Sequence, residues 1–189
     1  MVPGSQLAIR GNRAVGDGPL VLTGGLIRAT ADASAITYVS NHVALAANSS
    51  VGANNGKSLV FLGPVAILHG DRTITSTGND LTYFDGPIGD DGNGYGLTKA
   101  GSGTIILRGT NTFTGPLRVT AGTLRLAGEG SVASALIEIA SGATLDVTAR
   151  TGGVLNLASG QTLRGSGTFA GGLIVGSGAT LAPGMSPGV

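Results

Sequence analysis

Cysteine is absent from the 189 residues, and so is Trp. The first absence excludes disulfides and thiolate metal sites, and leaves the compartment open. Aromatic residues reach 4% and charged residues 11%, the latter less than half the usual ~25%. Eleven basic residues against ten acidic ones leave a net charge of +1. No Lys/Arg run or basic stripe occurs, so the sequence has no electrostatic footprint for nucleic acid or an anionic membrane surface. No apolar run reaches the ~18 residues of a membrane-spanning helix. The opening Met1-Val2-Pro3-Gly4-Ser5 has neither the basic nor the apolar region of a secretory leader. The leader of an exported form is therefore expected to lie outside this sequence.

Glycine, by contrast, is abundant: 35 residues, well over twice the usual ~7%. In helices each would be unfavourable by about 1 kcal/mol relative to Ala, and only two Lys and two Glu are present, so a helical bundle is excluded. Collagen needs a strict three-residue period, which is missing. Hydrophobic residues make up 41%, too many for a disordered chain so poor in charge.

One pattern recurs: two alternating apolar residues, a small residue with Gly, then Thr and an aliphatic residue. It is anchored at Gly103, Gly122, Gly142, Gly160 and Gly178, each followed by Thr104, Thr123, Thr144, Thr162 or Thr180. The anchors are 19, 20, 18 and 18 residues apart. Upstream the pattern continues more loosely at Gly25, Asn48 and Gly70, with steps of 23, 22 and 33. Alternation of apolar and polar residues marks half-buried strands, and Gly or Asn can turn the chain between them. A single unit cannot bury its apolar face alone, whereas stacked units can. Leucine-rich repeats and propeller blades need signatures that are missing. The expected fold is all-β: a right-handed parallel β-helix, or β-solenoid, of about eight coils with 18–24 residues each, roughly 38 Å long at ~4.8 Å per coil. Two aliphatic files are expected inside it, Val119-Ile139-Leu157-Val175 and Leu124-Leu145-Leu163-Leu181. The whole chain, 1–189, is read as one domain. It divides into irregular N-terminal coils (1–75), an inserted loop (76–96) and regular coils (97–189).

Residues 97–126 run Leu97-Thr98-Lys99-Ala100-Gly101-Ser102-Gly103-Thr104-Ile105-Ile106-Leu107, through Gly109-Thr110-Asn111-Thr112-Phe113-Thr114-Gly115, to Val119-Thr120-Ala121-Gly122-Thr123-Leu124-Arg125-Leu126. This stretch closely resembles the passenger-associated transport repeat, also called the autotransporter-associated β-strand repeat, with Phe113 where Tyr is usual. Leu181-Ala182-Pro183-Gly184-Met185-Ser186-Pro187-Gly188 resembles a passenger segment that often follows, with Met185 in place of Asn. The resemblance implies an exported, non-enzymatic β-helix that is secreted or held at the surface of a bacterium with an outer membrane, where the repeat assists secretion and folding. It also implies adjoining passenger coils and a translocator barrel as partners.

Sites for chemistry are sparse. His42 and His69 are the only histidines and are read as solvent-facing or hydrogen-bonded. Asp90 and Asp91 are weak candidates for oxygen ligation of Ca²⁺, with Asp80 and Asp85 as further ligands, but the stretch lacks the EF-hand pattern and reads more simply as an acidic turn. Glu129, Glu138 and Asp146 are the only carboxylates of the regular coils. They show no stacked pair of the kind a glycosidase requires, so no catalytic residue and no cofactor is expected. Tyr83, Phe84 and Tyr95 are read as capping one side of a coil. Gly103, Thr104, Asn111, Gly122, Thr123, Gly142, Gly160 and Gly178 are the expected structural residues of the repeat, Asn111 by stacking or hydrogen bonding along a turn. The leading functional reading is a rigid passenger or stalk scaffold. One alternative is a fibre subunit assembling through open coil ends. Another is a polysaccharide-binding or polysaccharide-degrading β-helix, with a surface carbohydrate or host protein as partner.

Overall fold

The computed structural model describes residues 5–10, 15–30, 36–53, 56–76, 78 and 81–184. Among them, strands stack into a parallel β-solenoid with three faces and no α-helix. The first face stacks nine strands, from Gln6–Ile9 to Thr180–Pro183. The second stacks seven, from Ile36–Val39 to Thr168–Ala170. The third begins as four strands, from Leu20–Leu22 to Ile88–Gly89. It continues as two pairs, Thr110–Asn111 with Ser131–Val132 and Val154–Leu157 with Gly172–Val175. The chain visits the faces in the order first, second, third, and closes about seven complete coils.

Alternation builds the core. In Leu117-Arg118-Val119 and Ile137-Glu138-Ile139, the aliphatic residues are buried and the charges lie outside. Because strands of successive coils are in register, like stacks on like. Phe61 pairs with Tyr83's neighbour Phe84, and their rings lie 4.8 Å apart at 10°, the offset imposed by the ~4.8 Å coil spacing. Each half-buried face would be marginal alone, and stacking makes one continuous interior.

The two expected files do not run as written. Val119 stacks on Ile139 in the first face, but the next position is Gly165. Leu157 and Val175 pair in the third face. Leu124 and Leu145 continue to Phe169 in the second face, and Leu163 pairs with Leu181 in the first. The cause is a shared local pattern at two different corners. Gly103, Gly122 and Gly142 turn the chain from first face to second, whereas Gly160 and Gly178, like Gly25, Asn48 and Gly70, precede first-face strands. A period read from the pattern slips by one corner between Gly142 and Gly160.

Coil length is elastic. Leu97 pairs with Leu117 and Leu163 with Leu181, steps of 20 and 18, but Ile137 pairs with Leu163, a step of 26. That longest coil holds the seven-residue strand Thr144–Arg150 and the 3-10 turn Thr151–Gly153. Segment 76–96, expected as an inserted loop, instead supplies strands Leu81–Phe84 and Ile88–Gly89 to the second and third faces. Its Gly/Asn/Asp-rich ends hid an ordinary coil. Only the bend from Asp90 to Gly96 lies outside the strands at its far end.

Candidate functional site: polar clamps between coils

An interior built of aliphatic files leaves few places for polar side chains. Several of those that are buried hydrogen-bond to a neighbouring coil, and three of these converge on residues 88–131.

Lys99 occupies an inward position between Ile74 and Val119 and is 1% exposed. Its Nζ donates to the carbonyls of Ala100 (3.0 Å) and Gly101 (2.7 Å), and to that of Ala121 in the next coil (3.0 Å). Three ammonium N–H donors thus meet three acceptors. Burial pushes its pKa down to about 8, so the side chain is an ammonium at neutral pH.

Asn111, 1% exposed, bridges three coils. Its Oδ1 accepts from the Ile88 N–H (3.0 Å), and its Nδ2 donates to the carbonyls of Gly109 (2.9 Å) and Ser131 (2.8 Å). Asn41 makes a similar link, donating from Nδ2 to the carbonyls of Gly16 and Gly18.

Asp90 is the third clamp. Its carboxylate accepts from the N–H groups of Gly92 (3.2 Å) and Tyr95 (3.0 Å), and from both the N–H and hydroxyl of Thr114 (3.2 and 2.9 Å). Burial on its own raises the carboxyl pKa; the hydrogen bonds from Thr114 and the glycines outweigh it and hold the group below the usual carboxylate range. Three of these four donors fall on Oδ2 and one on Oδ1. Asp91 is exposed in a left-handed conformation (φ 52°), Asp85 pairs with Arg108, and Asp80 lies outside the described residues. Among the described residues no three His, Asp or Glu side chains converge on a metal position.

The remaining sequence candidates are dispersed. Glu138 lies outside the first face between Arg118 (3.5 Å) and Arg164 (3.3 Å). Asp146 is in the second face, 2.7 Å from Arg125. Burial raises the Asp146 pKa, but hydrogen bonds from Thr148 and the Arg125 guanidinium lower it further. Glu129 accepts from the Thr151 hydroxyl. His42 and His69 are exposed at different corners. Phe84 is core; Tyr83 lies outside under the Arg108 guanidinium, 4.3 Å from its ring centre. Thr104 and Thr123 pair across adjacent coils with their side chains outside the second face. Phe113 is fully buried.

Lys99 was the residue that site reasoning passed over. Its signal was present: a lone lysine at an inward strand position, within the quoted Leu97-Thr98-Lys99. Asp71 was passed over too. It accepts from the Gly96 N–H (2.7 Å) and faces Arg118 across 3.4 Å, and nothing in its sequence neighbourhood marks it.

Comparison with known proteins meets the same stretch. Residues 97–126, which carry Lys99, Asn111 and Thr114, match the passenger-associated-transport-repeat family. The chain is 31% identical over 140 residues to the adhesin BmaC autotransporter of Brucella suis biovar 1 (strain 1330). That match covers 67% of this chain and 4% of the relative, so the chain corresponds to a small part of that protein's length. No solved structure matches.

Proposed function

We propose that this chain, an autotransporter passenger-type β-solenoid related to that adhesin, is a non-enzymatic scaffold segment exposed on or secreted from the cell, whose repeat locks the growing solenoid in register as it folds. The observation that carries this is the clamp set. Three largely buried polar side chains within or contacting residues 97–126 each tie one coil to another through hydrogen bonds. A chain emerging in an extended state must choose a register among similar coils. One slipped residue would turn every interior side chain outward. Buried polar groups that are satisfied in one register only penalise the alternatives, because each unsatisfied group costs about 1–3 kcal/mol. The dispersal of the carboxylates over different faces, each with a hydrogen-bonding or ionic partner, favours a scaffold over a hydrolase. Adjoining passenger coils and a translocator barrel are the partners this reading requires.

The test is surface display of the chain between a secretory leader and a translocator barrel. Wild type is expected to reach the surface as a protease-resistant segment. Lys99→Ala with Asn111→Ala should reduce display severalfold. Equal display by the double variant would remove the repeat's proposed role.

A second reading, end-to-end assembly, has its own observation. Val175 and Leu181 in the last described coil are 44% and 48% exposed, an apolar coil end that another coil would cover. Light scattering of the purified chain separates the two: an 18.4 kDa species is expected for a segment of a longer scaffold, and rods of uniform width for a fibre subunit.

A further inference from the structure

Near its N-terminal end, the outer surface of the first face holds an open groove of about 340 Å³. Its floor is a file of four side chains, one per coil: Gln6, Leu26, Ser50 and Thr75, each in direct register with the next. Asn48 and Gly25 form its rim along the corner. The file spacing is that of the coils, about 4.8 Å.

Two features of this groove point to a ligand. First, among the described residues no charged side chain lines it, although the same face carries Arg28 on the neighbouring row and the Asp71–Arg118–Glu138–Arg164 series farther along. Second, the polar groups along its floor are uncommitted. Among the described residues, the Gln6 amide and the hydroxyls of Ser50 and Thr75 make no side-chain hydrogen bond. Asn48 is oriented through its Oδ1, which accepts from the Thr73 N–H at 2.8 Å, and its Nδ2 is left without an acceptor. Leu26 supplies an aliphatic patch between these groups.

Hydroxyls that both donate and accept, amides that offer both functions, and one aliphatic surface suit a ligand of the same make-up: many neutral hydroxyls around a ring with C–H faces. An ionic ligand would surrender hydration here with no counter-charge to replace it. The volume is at the lower end of the 300–1,000 Å³ typical of small-molecule sites, room for one or two sugar rings. We propose that this groove binds a neutral saccharide. Neither Tyr83 and Tyr95 nor the clamp residues Asp90, Lys99 and Asn111 line it.

The experiment is titration of the purified chain, by saturation-transfer NMR and calorimetry. The probes are glucose, galactose, N-acetylglucosamine and their β-1,4-linked dimers, with glucuronate as the charged comparison. The expected result is saturable binding of at least one neutral probe in the millimolar range. Ser50→Trp, which fills the groove from an outward position, should abolish it, and Thr75→Val should weaken it severalfold. Thr123→Val, outside the second face, should bind as wild type does. If Ser50→Trp fails to fold by circular dichroism, Thr75→Val with Gln6→Ala decides in its place. Absence of binding to every neutral probe, a preference for glucuronate, or undiminished binding by the groove variants overturns the proposal. None of these results bears on surface display, so the scaffold reading stands or falls separately.

Discussion

At the residue scale, the clamps make sharp claims. Lys99→Ala removes three donors and leaves the carbonyls of Ala100, Gly101 and Ala121 without them. A loss of about 3 kcal/mol is expected, a fall in Tm of roughly 6–12 °C for a chain this size, read by thermal denaturation at pH 7. Asn111→Asp keeps the shape but aims a carboxylate at the Gly109 and Ser131 carbonyls. Its folded pKa should rise above the unfolded value near 3.9, so this variant should lose stability as pH climbs through the raised pKa, and regain part of it in acid. The wild-type carboxylates behave in the opposite sense. Asp90 and Asp146 are held below the ordinary range in the folded chain. Their contribution is complete above the unfolded pKa and disappears as pH falls below about 4 toward the lower folded value; urea midpoints measured from pH 2 to 7 should show this, and Asp90→Asn should flatten the slope. Thr82 is fully buried, and its hydroxyl has no partner. Thr82→Val should therefore stabilise the chain by about 1 kcal/mol, seen as a higher urea midpoint.

At the scale of the element, corners decide what a substitution does. A Cβ on Gly86 would lie 2.2 Å from the carbonyl oxygen of Gly63 in the preceding coil, whereas one on Gly142 would meet nothing within 4 Å. Gly142 has φ 75°, so Ala there should cost only the ~1–2 kcal/mol of a left-handed residue. Gly86→Ala must push two coils apart and should be the more damaging of the pair, a ranking that parallel melts would settle. The same contrast explains what could be read from the sequence. Strand alternation and the Thr-Leu after each Gly were legible because each depends on neighbours in the chain. Which corner a Gly occupies depends on the coil beneath it, and two corners with one local pattern could not be told apart. Segment 76–96 differs from its expected loop for a related reason: Thr82 and Asp90 are polar letters in a composition-based reading, and only the adjoining coil makes them interior. The charges outside the first face matter less. Arg118→Ala should change stability by under ~1 kcal/mol, and by nothing measurable once salt screens the series of alternating charges.

At the scale of the whole molecule, charge is partitioned by face. No described strand of the third face contains Asp, Glu, Lys or Arg, while the first and second carry ion pairs outside. The distribution is legible in the sequence only after the three faces are assigned. The parallel stack has a mechanical consequence as well. Hydrogen bonds between coils lie along the axis of the rod, so tension applied to its two ends loads them one coil at a time instead of shearing them together. Pulled in a single-molecule instrument, the rod should peel rather than snap, and each 20-residue step such as Leu97 to Leu117 should release roughly 70 Å of contour. The force trace should rise where peeling meets Lys99, Asn111 and Asp90. A ratchet with its strongest tooth in the middle resists being unravelled from either end.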